Sequence, residues 1–293
     1  TATAAGTEQI TLSDAGTATG DAAVETYVMA VGTNNFTIGA AAQNVTGSTG
    51  IDNIYVTGLT ATGTYALSSG ANTIVATTGA DIKGVNSGSA TTAQTFNLTG
   101  AATTTVAQHN AFTTFTAGGG SDQITLSDVG TVTAAAAVET YVLANGTNSI
   151  TLSTTAGQNV TGQAGADTLV VAQTTTYTGT LALAGGTNVV TLVNGADLGS
   201  ATLTATGGSI DFTIATHGAV TLSIAQNALL VAGTLTTAGS SQITFSGAGT
   251  ATGDALIYQY TLPNGTNTFT LGAAAQRVIG NTGNDSVNIG GLT

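Results

Sequence analysis

Apolar and polar residues alternate in short runs along the whole chain. Apolar centres at Phe36, Val45, Ile54, Tyr65, Ile74 and Ile82, then at Phe96, Val106, Phe115 and Ile124, fall mostly about nine residues apart. Ile150, Val160, Leu169, Leu181, Val190 and Leu198 keep the same cadence. Alternation with a period of two is strand chemistry, whereas a helix needs ten or more residues of 3.6-residue periodicity. Residues 20–30 and their counterpart 134–144 come nearest to a helix, but their β-branched content and alternating tyrosines favour strands there as well.

Between the runs lie two kinds of glycine corner. G-x-N corners occur at Gly32-Thr-Asn34, Gly70-Ala-Asn72, Gly146-Thr-Asn148, Gly186-Thr-Asn188 and Gly265-Thr-Asn267. G-x-D corners occur at Gly50-Ile-Asp52, Gly120-Ser-Asp122, Gly165-Ala-Asp167 and Gly283-Asn-Asp285. Asn34 and Asp52 are 18 residues apart, Asn148 and Asp167 are 19, and Asn267 and Asp285 are 18. Two strands per coil of 18–20 residues would stack such corners on one edge. The predicted fold is therefore all-β, a parallel solenoid of β-roll or β-helix type. With about 4.8 Å of advance per coil, roughly fifteen coils would make a rod of about 70 Å.

The chain also repeats on a longer scale. EQITLSDAGTATGDAAVETYV from Glu8, DQITLSDVGTVTAAAAVETYV from Asp122 and SQITFSGAGTATGDALIYQYT from Ser241 align at offsets of 114 and 119. TFNLTGAATTTVAQ from Thr95 matches TIATHGAVTLSIAQ from Thr213. The expected organisation is one continuous solenoid of two units, 1–119 and 120–238, and a partial third, 239–293. The third stops where the first has reached Thr60, as in a piece of a longer array.

Composition narrows the function. Charged residues are 5% of the chain, against roughly 25% in an average domain. Only Lys83 and Arg277 are basic, against 14 acidic residues, giving a net charge of −12. Nucleic acid and anionic membranes need clustered cations and are disfavoured as partners. No apolar run is long enough to insert in a bilayer. Cysteine is absent, so neither disulfides nor thiolate metal sites contribute. His109 and His217 are not at equivalent repeat positions, and Lys83 and Arg277 lie in different units. No nucleophile motif or acid–base pair emerges, and the reading is a non-enzyme.

The chemistry that remains is in the G-x-D corners. GQAGADTLV (162–170) matches the calcium nonapeptide G-G-x-G-x-D-x-U-x except at its second position; GSTGIDNIY from Gly47 and GNTGNDSVN from Gly280 miss the same glycine, and AGGGSDQIT from Ala117 loses the first. Asp52, Asp122, Asp167 and Asp285 are candidate Ca2+ ligands, since a hard cation takes six to eight oxygens. The alternative is an Asx turn, with the side chain bonded to nearby backbone N–H groups. Asn34, Asn148 and Asn267 could add amide oxygens or form a stacked amide ladder. Glu25 and Glu139, and the equivalent pair Asp81 and Asp197, are further acidic candidates.

With these segments the chain resembles the RTX-type family, and more specifically β-strand-repeat S-layer proteins and giant adhesins. The resemblance implies type I secretion, calcium-dependent folding and a place in a surface coat. Two departures stand out: Asn replaces Asp in alternate coils, and Glu8 and Ser241 stand where the second repeat has Asp122. The expected function is that of an extracellular structural protein assembling with itself into an S-layer, sheath or filament. Cell-surface polysaccharide is a second candidate partner. The alternatives are the stalk of a giant adhesin and an ice-binding solenoid, the latter from T-x-T spacing at residues 174–178 and 202–206.

Overall fold

The computed structural model, which describes residues 7–85, 94–155, 157–172, 176–290 and 292, is a parallel β-solenoid with about 19 residues per coil. Its contacts divide the chain into two units, Thr1–Asp128 with Ala137–Val142, and Val129–Ala136 with Leu143–Thr293.

In the first unit, Gln9–Thr11, Thr26–Val28, Asn44–Thr46 and Tyr65–Ala66 form one sheet. Thr17–Thr19, Gly32–Thr37, Gly50–Val56, Thr73–Thr77, Thr95–Thr99 and Thr114–Ala117 form the facing one. Each coil places its strand directly on the equivalent strand of the coil before, with Phe36 over Ala18, Ile54 over Phe36 and Ile74 over Ile54. Parallel registry puts like on like, so one apolar position per strand builds a continuous interior column. Phe36, Val45, Ile54, Tyr65, Ile74 and Phe96 are all buried in it. Tyr27 and Phe36 meet across the thin core at 4.6 Å between ring centroids, with their planes tilted by 45°.

The second unit shows how the repeat is joined. Thr180–Leu192 and Thr202–Ile214 are long strands that run unbroken along two sides of the coil. A further side begins in the parallel bridges of Thr176 to Asp197 and Asp197 to Thr221, and continues from Ala219–Leu222 through Gln242–Phe245, Gln259–Thr261 and Arg277–Ile279. The older sheet ends at Leu235–Thr236. A new one starts at Thr250–Thr252 and continues through Asn267–Thr270 and Asp285–Asn288. The stack thus steps sideways within the unit, exchanging one sheet for another.

Short helices sit at the corresponding place in the first two repeats: α1 (Val106–Ala111) and α2 (Ile224–Ala232). These are a correction to the sequence reading, which placed a strand centre at Val106 and its one helix-like stretch elsewhere. The cause is local. Thr105 and Ser223 each accept a hydrogen bond from the N–H of the glutamine three residues on, and Oε1 of Gln108 and Gln226 accepts in return from the cap N–H. This T/S-x-x-Q capping box satisfies two helix-end donors at once. The stretches at 20–30 and 134–144 hold strands, as expected, at Thr26–Val28 and Thr140–Val142.

Glycines of the corners stack as the strands do. A Cβ on Gly50 would lie 2.1 Å from the Gly32 carbonyl oxygen, and one on Gly165 would lie 2.3 Å from that of Gly146, at positive φ in both cases. Gly165→Ala is expected to cost about 2–3 kcal/mol through backbone strain and displaced coils. Gly247→Ala, where a Cβ meets nothing within 4 Å, should leave the denaturation midpoint within error; equal effects in urea titrations would refute the stacking argument.

Candidate functional site: a buried ladder of asparagine and aspartate

A coil turning a corner leaves backbone N–H and C=O groups facing inward, and an unpaired buried group costs about 1–3 kcal/mol. Side-chain amides satisfy them here. Asn34 Nδ2 donates to Ala30 C=O at 2.8 Å, Asn72 Nδ2 to Ser68 C=O at 2.7 Å, and Asn148 Nδ2 to Ala144 C=O at 2.8 Å. Asn188 and Asn267 make the same bond to Ala184 and Pro263. Every one of these reaches back four residues. At Asp52 the polarity is reversed, because the residue four back, Ser48, presents its N–H, which donates to Oδ2 at 3.2 Å. At Asp52, therefore, a carboxylate stands where the corner turns an N–H rather than a C=O inward.

The same side chains bind the coils together. Asn34 Nδ2 donates to Asp52 Oδ1 at 2.8 Å, and Asp52 N–H donates to Asn72 Oδ1 at 2.9 Å. In the second unit Asn148 N–H and Nδ2 both donate to Asp167 Oδ1, and Asp167 N–H donates to Asn188 Oδ1 at 3.0 Å. Asn267 Nδ2 donates to Asp285 Oδ1 at 2.7 Å. Stacking of the Asn and Asp corners, expected from their spacing, is thus present in register. Asp52 and Asp167 are wholly inside the solenoid, whereas Asp285 is exposed.

These surroundings do not fit a calcium ion at Asp52; at Asp167, Oδ1 accepts from Asn148 while Oδ2 is buried without a hydrogen-bond partner. The oxygens of Asp52 face N–H donors, and a Cβ on Gly47 would meet Asp52 Oδ2 at 2.5 Å. Gly162 stands likewise against Asp167 Oδ2 at 2.7 Å. The first glycine of G-x-x-G-x-D is explained by this close approach of the carboxylate to the corner backbone. Burial pushes the pKa of both aspartates up, and the Asn hydrogen bonds only partly oppose it.

Asp122 is not on the ladder. Its Oδ1 accepts from Gly100 N–H, its own N–H donates to Glu139 Oε2 at 3.0 Å, and its Oδ2 is buried without a hydrogen-bond partner. The first repeat has the same device in Glu8 and Glu25. Glu8 N–H donates to Glu25 Oε2 at 2.8 Å, Glu8 Oε2 is buried and unpartnered, and the N–H of Glu8 holds the Glu25 carboxyl below its usual range. Asp81 and Asp197 form Asx turns to Lys83 N–H and Gly199 N–H, and Asp81 also pairs with Lys83 at 2.7 Å. His109 is a core residue, 3.1 Å from the Tyr141 hydroxyl and against Phe115. Among the described residues no three His, Asp or Glu side chains gather as a metal-holding group.

A second set of polar side chains escaped the sequence reading. Gln43 Oε1 accepts from Gly39 N–H while its Nε2 donates to Asp21 and Val24 C=O. Gln276 repeats this bracket with Gly272, Asp254 and Ile257, and Gln158 with Ser153 and Ala135. Gln108 and Gln226 use the amide left over from their capping boxes on Ile82 and Val85, and on Leu198 and Ala201. The signal was there, as a glutamine at the same place in AAAQNV, TAGQNV and AAAQRV. No protein-family model matches the chain, nor does any curated protein or solved structure.

The raised pKa of Asp167 fixes a sign. The folded state takes up a proton more readily than the unfolded one between the ordinary aspartate value and the raised one. Stability from this group therefore rises as pH falls through that window and is constant below it. Asp167→Asn removes the buried charge while keeping an Oδ1 acceptor, so it should flatten this rise in urea midpoints between pH 7 and 4. Asp52→Asn sets an amide against Ser48 N–H and should be the costlier change by about 1–2 kcal/mol at neutral pH. A steeper pH dependence in Asp167→Asn would contradict the assignment.

Proposed function

We propose that this chain is an extracellular structural protein, a solenoid scaffold that associates with copies of itself in a surface coat, sheath or filament. The observation that carries this reading is the use made of the interior polar groups. Asn34, Asp52, Asn72, Gln43 and their equivalents bond to the backbone or to one another, which supports a scaffold rather than a catalyst. The resemblance to S-layer proteins and adhesins points the same way. So do outer strand positions such as Thr73 beside Thr95 and Thr133 beside Thr151, which offer uncharged, self-compatible faces.

Calcium has a place in this proposal at the acidic edges rather than in the ladder. Asp122 with Glu139, and Glu8 with Glu25, each combine two carboxylates with one buried oxygen lacking a hydrogen bond. A cation there would complete that oxygen, with the remaining ligands supplied by water and backbone. A ligand held only by the folded state stabilises it by mass action, so saturating calcium should raise the melting temperature by several degrees and chelation should reverse it. Glu139→Gln should remove part of the calcium response, and Asp52→Asn, where both carboxylate oxygens already accept hydrogen bonds, none of it. A melting temperature indifferent to chelator would withdraw calcium from the proposal, and a strictly monomeric protein by sedimentation at every concentration would withdraw self-association.

A further inference from the structure

The third repeat departs from the other two in one coordinated way. Where they place a carboxylate at Glu25 and Glu139, the third has Tyr258; where they place Asn44 and Asn159, it has Arg277; where they place Ala23 and Ala137, it has Leu256. All three substitutions fall on one edge of the second unit. Arg277 N–H donates to Tyr258 C=O at 2.9 Å, which sets the two residues on adjacent coils. Leu256 is 55% exposed and Tyr258 46%, and both line an open groove of about 210 Å³ with Ala273 and Ala275. Arg277 is exposed and makes no ion pair among the described residues, whereas Lys83 is held by Asp81.

Elsewhere an apolar edge would be left to solvent only singly and without consequence. Here two large apolar side chains, a groove of alanines and an unpaired guanidinium stand together where the repeat otherwise carries an acid. The chain has 14 acidic residues against two basic ones, so the exposed carboxylates of another molecule of it, Asp14 and Asp21 among them, are complementary in charge to Arg277. Tyrosine and arginine are also the residue types that anchor protein interfaces most often.

We propose that the Leu256–Tyr258–Arg277 edge is a docking surface for a second copy of this chain, Arg277 pairing with an exposed carboxylate of that copy while Tyr258 and Leu256 bury against its uncharged face. This rests on the self-associating reading above, and specifies which surface carries it. The contact is heterologous, one edge against a different surface, and so propagates into open arrays unless it closes as a ring.

The repeat supplies its own test variants. Tyr258→Glu and Arg277→Asn restore residues that the first and second repeats already carry at those places, so the coil should fold. Sedimentation velocity on the full chain should show association weakened at least tenfold by each, with an unchanged melting temperature, and weakened in the parent protein by raising salt. Gln259, next to Tyr258 and paired in register with Arg277, is buried and bonded to Gln242, and any variant that melts early is set aside in favour of Leu256→Ala, the residue of the first two repeats, which should also weaken association. Association of unchanged strength in stably folded variants would overturn this surface while leaving self-association standing. Absence of association in the parent protein would overturn both. Binding of an acidic polysaccharide such as polygalacturonate, lost in Arg277→Asn, by a protein that stays monomeric would assign the edge to a glycan and likewise overturn the proposal.

Discussion

The structure depends on how a coil disposes of its backbone at the corners. Strands satisfy their N–H and C=O groups with the coils above and below, but a turn points some of these groups into the core. Side-chain amides and carboxylates are the smallest groups that can meet them and still fit the thin interior. Asn34 takes a carbonyl of its own corner and a carboxylate of the next coil with one amide nitrogen. Gln43 does the equivalent at another turn with both ends of its amide. These bonds account for the fixed places of the residues in the repeat, while Oδ1 of Asn34 and of Asn148 and Oδ2 of Asp167 are buried without hydrogen-bond partners.

This constraint explains several features that composition leaves unconnected. Glycine recurs because the corner backbones approach one another too closely for a Cβ, as at Gly50 over Gly32, and because an inward carboxylate lies against Gly47. In the interior the ladder uses amides for most of its positions, and an ionised Asp167 is disfavoured by its burial. The helices α1 and α2 belong to the same economy of hydrogen bonds, since the glutamine that caps each one also bonds to the carbonyls of an earlier turn.

The scaffold and the proposed surface differ in kind. Residues of the ladder answer to the coil itself, so they vary little between repeats, Asn34 corresponding to Asn148 and Asn267 and Asp52 to Asp167 and Asp285. The side chains of Tyr258 and Arg277 take no part in the ladder, and the third repeat departs from the others there, as it does at Ser241. Within one chain, the repeats act as internal controls for what the coil requires and what it leaves free.

By itself the sequence determined the parallel coil, its length and its interior column, because period-two alternation and 18- or 19-residue spacing between corners leave no other way to bury Phe36, Ile54 and Leu169. It also determined that Asn34 and Asp52 would stack. Only the tertiary structure decided what that stack is. A G-x-x-G-x-D segment is compatible with carboxylates turned outward to a cation or inward to N–H groups, and the difference is the direction of one corner peptide, which no residue pattern specifies. The helices were hidden for a related reason: six to nine residues are too few to show a period, and their stability comes from a capping glutamine whose second set of bonds lies more than twenty residues away. Asp122 was separated from the ladder by the same logic, since its neighbours Gly100 and Glu139 are set by the coil on either side and not by the glycines before it.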